Sequence, residues 1–207
     1  MQSLVYKDLL NLKKYMKTLM LLVVFYIVIS FNMEGSSFLS GMIVLVSIMI
    51  PIASFSYDQQ SNFDLYAQSL PVTRKDIVSS KYVLAIGSIF LGTVLASSIS
   101  FLSELLKGNK VLVSDLFASN LIMCSIGVIF SAIIIPLIYK FGVERARILL
   151  LIVVATPALV VALLPDSTVL LDKLSMVSLI VTTLVTAVIS VVISYFISVK
   201  IYTAKDF

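Results

Sequence analysis

The sequence contains no histidine, no tryptophan and a single cysteine, Cys124. Without an imidazole it can form no Ser-His-Asp triad, no Cys-His pair and no histidine-liganded zinc site. A lone cysteine cannot form an intrachain disulfide, and with no second Cys or His near it we expect no metal site. The phosphate-binding pattern Gly-x-x-x-x-Gly-Lys-Ser/Thr is also missing, so the chain is not expected to bind ATP itself. These absences argue against an enzyme.

Charged residues are also scarce, at 13% of the 207 residues, whereas hydrophobic residues make up 60%. Soluble proteins contain about 25% charged and roughly 45–50% apolar residues, so this chain has more apolar side chain than a core of its length could bury. We therefore expect an all-α integral membrane protein with a single transmembrane domain, residues 1–207.

The few charges are clustered, and the charge-free stretches between them predict six transmembrane helices. A helix needs about 20 apolar residues to cross a hydrocarbon core of roughly 30 Å. Five stretches have about that length or slightly exceed it, and the first falls just short. Neighbouring lysines can relieve this small mismatch, because their long side chains reach outward to the lipid head groups. The predicted spans are about 18–33, 36–56, 82–103, 116–139, 148–164 and 174–199.

The basic residues predict the orientation of these spans. Twelve of the fifteen Lys and Arg residues fall on the side that holds both termini, and three fall on the other side. Cytoplasmic loops are enriched in Lys and Arg, so both termini are predicted to be cytoplasmic in a multi-pass protein. The net charge of +4 is then an orientation signal that also attracts anionic membrane lipid, and nothing in it indicates nucleic-acid binding.

Residues 1–17 have the pattern of an amphipathic helix lying in the membrane interface. Apolar residues share one arc of this helix and lysines share the opposite arc. Asp8 interrupts the apolar arc, and Leu10 interrupts the basic one. The alternative is that the segment simply extends span one into water.

The largest predicted cytoplasmic segment is 57–81. Phe63, Tyr66 and Leu70 are spaced three and four apart, which predicts an apolar stripe on a short helix from residue 62 to residue 70. Thr73 is the predicted N-cap of a second helix, with Asp76 as a shortened capping-box partner. We interpret the segment as a docking element for a soluble protein; the alternative is a solvated connector with a few interfacial aromatic residues.

This segment also contains a specific series of residues. It reads Tyr57-Asp58, Phe63-Asp64-x-Tyr66, Ser69-Leu70-Pro71-Val72-Thr73-Arg74-Lys75-Asp76-Ile77-Val78 and Lys81-Tyr82. The series resembles the first cytoplasmic loop of small bacterial ATP-binding cassette (ABC) exporter permeases, and its Leu-Pro-Val-Thr-Arg core is the most specific part. The resemblance extends more loosely over the whole chain, since these permeases have an N-terminal interfacial helix, six spans and cytoplasmic termini.

In that family the loop is a coupling helix seated in a groove of a cytosolic ATPase. The resemblance implies that the following residues transmit nucleotide-driven motion to the spans: Phe63, Asp64, Tyr66, Leu70, Pro71, Val72, Thr73, Arg74, Lys75 and Asp76. It also implies cytosolic ABC ATPase subunits that bind ATP and Mg²⁺, a second permease that is identical or related, and a location in the bacterial cytoplasmic membrane. The chain departs from the family in Phe63, where many relatives have tryptophan, and in the short loop after span five.

No predicted span contains an ionisable Asp, Glu, Lys or Arg, which argues against a proton-driven transporter and against a charged substrate at the midplane. Hydroxyl residues recur every fourth position in span six: Ser178, Thr182, Thr186, Ser190, Ser194 and Ser198. Such a ridge either packs helices or lines a translocation path. Pro51, Pro136 and Pro157 lie inside charge-free stretches, where they are either gating hinges or ordinary membrane prolines.

These observations together favour the membrane subunit of an ATP-driven ABC exporter, which is not itself an enzyme. An uncharged path suits an amphipathic or hydrophobic substrate, such as a peptide or an antibiotic-like molecule. The alternatives are the substrate-binding membrane subunit of a vitamin importer and a standalone membrane immunity or scaffold protein. The vitamin importer would have a ligand pocket near the outer face and little need for the loop from Tyr57 to Lys81, whereas the standalone protein would work without ATP.

Overall fold

The computed structural model describes residues 2–32, 36–67, 69, 71–107, 113–149, 151–152 and 176–205. The regular structure within these ranges is α-helical, as the composition predicts. The helices are α1 (Gln2–Asn32), α2 (Ser36–Gln60), α3 (Phe63–Ala67), α4 (Arg74–Leu106), α5 (Val113–Phe141) and α6 (Met176–Thr203). A further helical segment, 143–149, follows α5.

Within the described residues, four helices are long and apolar enough to cross a membrane: Gly41–Gln60, Arg74–Leu106, Val113–Phe141 and Met176–Thr203. They coincide with the second, third, fourth and sixth predicted spans. The first predicted span falls in α1, whose apolar part Met20–Ile29 is shorter. Most of the fifth, 148–164, lies outside the described residues, so the count of six spans remains a prediction.

α1 is one continuous helix of 31 residues, with no break between the N-terminal segment and the first predicted span. Whether residues 1–17 lie in the membrane interface or extend span one into water remains a prediction. Its buried residues Leu4, Asp8 and Leu12 are spaced four apart, so they form one stripe along the helix. That stripe packs against other helices of the chain. A carboxylate can lie among its apolar residues because a neighbouring helix supplies a partner for Asp8.

A tight turn separates α2 from α3. Asn62 has a φ of 49°, in the left-handed region that asparagine tolerates better than most residues. α3 then has only five residues, so the helix predicted from 62 to 70 is shorter than expected. The physical reason is a turn at its end, where Ser69 donates its backbone N–H and its hydroxyl to the Tyr66 carbonyl at 3.1 and 2.7 Å. Leu70 lies outside the described residues.

α5 ends at Phe141, and Gly142, which follows it, has a φ of +81°. This conformation favours glycine and closes the helix while the Gly142 N–H still donates to the Ile138 carbonyl at 2.9 Å. The chain then restarts as helix at Val143, whose N–H donates to Gln59 Oε1 of α2 at 3.3 Å. Segment 143–149 is thereby held beside the end of α2.

The main apolar core lies where α2, α4 and α5 meet. Ile89 and Ile135 are completely buried in it, and Ile134 is nearly so. Close packing here requires a glycine at position 127, because an added Cβ would lie 2.7 Å from Val44 Cγ1 and 3.3 Å from Ile89 Cγ2. α5 therefore approaches both neighbouring helices at this point.

Candidate functional site

Five elements meet at one end of the bundle: the first turns of α1 and α4, the last turns of α2 and α6, and the short helix α3. Four charged side chains lie between them, and we call this cluster the charged junction: Lys7, Asp8, Asp58 and Lys81. The cluster carries two positive and two negative charges, so its formal sum is neutral.

Lys81 is the centre of the charged junction. Its Nζ lies 2.9 Å from Asp8 Oδ2, 2.5 Å from Asp58 Oδ2 and 2.7 Å from Ser54 Oγ. Only 3% of the Lys81 side chain is exposed. An ammonium group has three N–H donors, so three surrounding oxygens match its capacity. Buried charges persist in proteins when they are paired in this way.

Lys7 extends the cluster toward the protein surface. Its Nζ donates to Asp58 Oδ1 at 2.6 Å and lies 3.0 Å from Asp8 Oδ1, in an ion contact without hydrogen-bond geometry. The same Nζ lies 3.4 Å from the centroid of the Phe63 ring, a cation–π contact. Lys7 therefore joins α1 to both α2 and α3.

α3 divides the predicted apolar stripe between two faces. Phe63 and Ala67 are buried in the same core cluster as Phe55 of α2, whereas Leu65 and Tyr66 are 58% and 62% exposed. The spacing of Phe63 and Tyr66 therefore does not place both on an outward docking surface. Leu65 and Tyr66 form an exposed apolar face, and of this pair the sequence pattern identified only Tyr66.

Thr73 and Asp76 form the predicted N-cap of α4, and both halves of the capping box are present. The Asp76 N–H donates to Thr73 Oγ1 at 3.1 Å, and the Thr73 N–H donates to Asp76 Oδ2 at 3.2 Å. Asp76 is shorter than the usual glutamate, but it still reaches Thr73. The Thr73 hydroxyl also donates to Asp76 Oδ2, at 2.6 Å. This cap fixes the direction in which α4 leaves the turn.

Arg74 contacts the end of α6 within the same chain. Its Nη1 donates to the carbonyls of Thr203 at 2.6 Å, Lys205 at 3.1 Å and Tyr202 at 3.4 Å. The carbonyls of Tyr202 and Thr203 are among those that a helix C-terminus leaves without internal donors, and Lys205 follows the helix. Nearby, the Tyr202 hydroxyl donates to Asp64 Oδ1 of α3 at 3.1 Å. Arg74 and Asp64, both predicted coupling residues, thus join α6 to the α3–α4 turn.

Three of the remaining predicted coupling positions are among the described residues. Pro71 and Lys75 are exposed and Val72 is partly buried. Val72 packs against the main core cluster.

The charged junction was not predicted from the sequence. One feature of the sequence could have indicated it, namely the single aspartate on the apolar arc of α1, Asp8.

The hydroxyl ridge of span six is not uniform. Ser194 and Ser198 are buried and bond to the Tyr82 hydroxyl at 2.5 and 2.9 Å. Thr182 and Thr186 are exposed, Ser178 and Ser190 are half-buried, and the hydroxyls of Thr182, Thr186 and Ser190 bond to carbonyls of their own helix. The last two residues of the ridge therefore join α6 to α4.

Two of the predicted hinge prolines are described, and each has a serine on a neighbouring helix. Pro136 has no N–H, so the carbonyl of Ala132 lacks its helical donor, and Ser194 Oγ donates to that carbonyl instead. Pro51 likewise frees the Ser47 carbonyl, which accepts from Ser88 Oγ at 3.3 Å; the same hydroxyl also donates to the Ala85 carbonyl of its own helix at 2.9 Å, so it is shared between the two. We call these contacts the two proline–serine contacts. Pro157 lies outside the described residues.

The described structure thus defines a class: a multi-pass helical membrane protein whose apolar helices converge on a charged junction at one end. Residues 3–203 match the family model of the ABC-2 family transporter proteins, which covers nearly the whole chain. The chain belongs to this family. No curated protein and no solved structure matches it. The family consists of transporter permeases that are not themselves catalytic and that work with ABC ATPase partners in general.

Proposed function

We propose that the chain is the membrane subunit of an ATP-driven exporter. It has six spans and cytoplasmic termini in a bacterial cytoplasmic membrane, and it works with a second permease, identical or related. Cytosolic ABC ATPase subunits bind ATP with Mg²⁺ and hydrolyse it. The substrate is amphipathic or hydrophobic, such as a peptide or an antibiotic-like molecule, and it moves outward.

The observation that supports this proposal best is the connection between α3 and the long helices. The Phe63 ring makes a cation–π contact with Lys7 of α1, and Lys7 forms an ion pair with Asp58 of α2. Asp64 is joined to Tyr202 of α6. A protein that binds the exposed face of α3 would therefore pull on α1, α2 and α6 at once. Such linkage is what a coupling helix requires.

In this proposal the predicted coupling residues have two roles. Tyr66, together with Leu65, contacts the ATPase, and the exposed positions Pro71, Thr73 and Lys75 complete that surface. Phe63, Asp64, Val72, Arg74 and Asp76 hold the turn to the rest of the chain, and Leu70 keeps its proposed role beside them.

The proposed translocation path follows the hydroxyl ridge from Ser178 through Thr182, Thr186 and Ser190 to Ser194, and Thr182 and Thr186 are its exposed members. Pro51 and Pro136 are proposed hinges, because each leaves a carbonyl whose donor sits on another helix. Pro157 keeps the same proposed role.

The coupling role can be tested with the tagged chain and its cognate ABC ATPase in nanodiscs. The double variant Leu65→Ala/Tyr66→Ala should lower ATPase co-purification about tenfold, because paired apolar and aromatic anchors carry most of the energy of an interface. Phe63→Ala should retain co-purification but lose stimulation of ATP hydrolysis, since Phe63 faces inward. Leu106→Ala, equally exposed at the opposite end of α4, is the matched control. Unchanged co-purification and hydrolysis in the first two variants would refute the coupling role.

A further inference from the structure

A cavity of about 630 Å³ lies between α2, α5 and the segment after Gly142. Its walls are mainly apolar, with Ile48, Ile52 and Ile134 among them, and Leu45 and Met49 at its rim are about half exposed. A second apolar cavity of about 300 Å³ adjoins it, because both are lined by Leu45, Ile48 and Phe130. Together they form an apolar furrow that runs along α2 from Gln60 as far as Gly41.

One end of the furrow is polar and positively charged. Arg147 lines it beside Ser56, Tyr57 and Gln60, and no acidic residue is among the described lining residues. The Arg147 Nη2 donates to Ser56 Oγ at 3.1 Å. Its ion-pair contact with Glu144 is long, at 3.9 Å, and Glu144 is 87% exposed. The guanidinium thus retains donors for an anion placed at this end of the furrow.

We propose that the furrow binds an anionic phospholipid from the membrane leaflet at that end. The phosphate lies against Arg147, where a guanidinium can form two parallel charge-assisted hydrogen bonds. One acyl chain lies along the apolar walls toward Gly41. The larger cavity alone falls in the range of about 300–1,000 Å³ that is typical of small-molecule sites. The rim residues Leu45 and Met49 are exposed on a helix that is long and apolar enough to cross a membrane, which favours a lipid over a cytosolic peptide.

The direct test measures lipid retained by the purified full-length chain with native mass spectrometry, with phosphatidylglycerol and phosphatidylcholine of the same acyl chains as probes. Phosphatidylglycerol should bind at least about fivefold more tightly, and Arg147→Gln should remove that preference, since one basic residue near a membrane surface contributes about that factor. Arg145→Gln is the matched control, because Arg145 is exposed and does not line the furrow. Equal retention of the two lipids by the unaltered chain would overturn the proposal.

A second measurement locates the acyl chain without depending on the stability of a variant. Phosphatidylglycerol with a photoreactive group at the end of one acyl chain should label the peptides that contain Ile48 and Phe130. Labelling confined to other helices would overturn the proposal. A third experiment places one cysteine at position 49 and another within 153–164 in a Cys124→Ser background. A disulfide between them would also overturn the proposal, because the chain itself would then fill the furrow. Labelling by an amphipathic peptide that displaces the lipid would assign the furrow to substrate instead.

Discussion

The helices of this protein are joined by charges at one end and by hydroxyl groups further along. At the charged junction, two lysines and two aspartates neutralise one another in a nearly closed cluster. At the two proline–serine contacts, neutral hydroxyls donate to carbonyls that prolines leave free. Charges are tolerated near the end of a membrane helix, whereas deeper positions favour groups that satisfy the backbone without a charge. The comparison predicts that the junction tolerates substitution far less than the contacts do.

The largest effect is expected at Lys81. Lys81→Met leaves Asp8 and Asp58 buried with Lys7 as their one remaining cation, so it should lower the free energy of unfolding by about 3–5 kcal/mol, measured by thermal or denaturant unfolding in detergent. Lys13→Met, on the exposed face of α1, should change stability little. Adding Asp58→Asn to Lys81→Met should recover part of the loss, because it removes one uncompensated charge. A further loss in the double variant would mean that charge balance does not hold the junction together.

A smaller effect is expected at Ser194. Ser194→Ala leaves the Ala132 carbonyl without a donor and removes a partner of Tyr82, so it should lower the free energy of unfolding by about 1 kcal/mol. The same substitution should cost less in a Pro136→Ala background, where an N–H at position 136 can donate to Ala132 instead. Thr186→Ala, whose hydroxyl bonds only within its own helix among the described contacts, is the control. Equal costs in both backgrounds would show that proline and serine are not coupled.

The smallest effect is expected at Arg74. Arg74→Ala removes the donor to the α6 carbonyls, but it also removes a positive charge from the first turn of α4, where the helix dipole disfavours a cation. The net loss of stability should therefore be about 0.5–1 kcal/mol by the same unfolding measurement. Arg74→Lys should be intermediate, since a lysine cannot reach several carbonyls with one planar group. Lys75→Ala, at the exposed neighbouring position, should leave the stability unchanged. If Lys75→Ala lowered the stability as much as Arg74→Ala, the loss would come from removing a positive charge and not from the bonds to α6.

The long helices could be predicted from the sequence because their signal is local. A stretch such as 116–139 contains no charge and is long enough to span a membrane, and α5 occupies it. The Thr73–Asp76 cap was predictable for the same reason, since both partners lie within one turn.

Contacts between distant residues could not be predicted. The spacing of Phe63 and Tyr66 indicates a common helical face, but Phe63 is buried by the core cluster and by Lys7, which are distant in sequence. The prolines and the span-six serines were both visible as patterns. Their pairing depends on how α6 is rotated against α5, which no local pattern contains. Asp8 is the intermediate case, because the sequence shows it as an interruption of an apolar arc and nothing local identifies Lys81 as its partner.

The three oxygens around Lys81 Nζ also restrict how the protein can change during evolution. Replacement of Lys81 by an apolar residue removes a charge that two aspartates share. A relative that loses this lysine is therefore expected to have lost Asp8 or Asp58 as well, or to have gained a cation nearby. Positions 8, 58 and 81 should thus vary together among relatives, although 73 residues separate the first from the last.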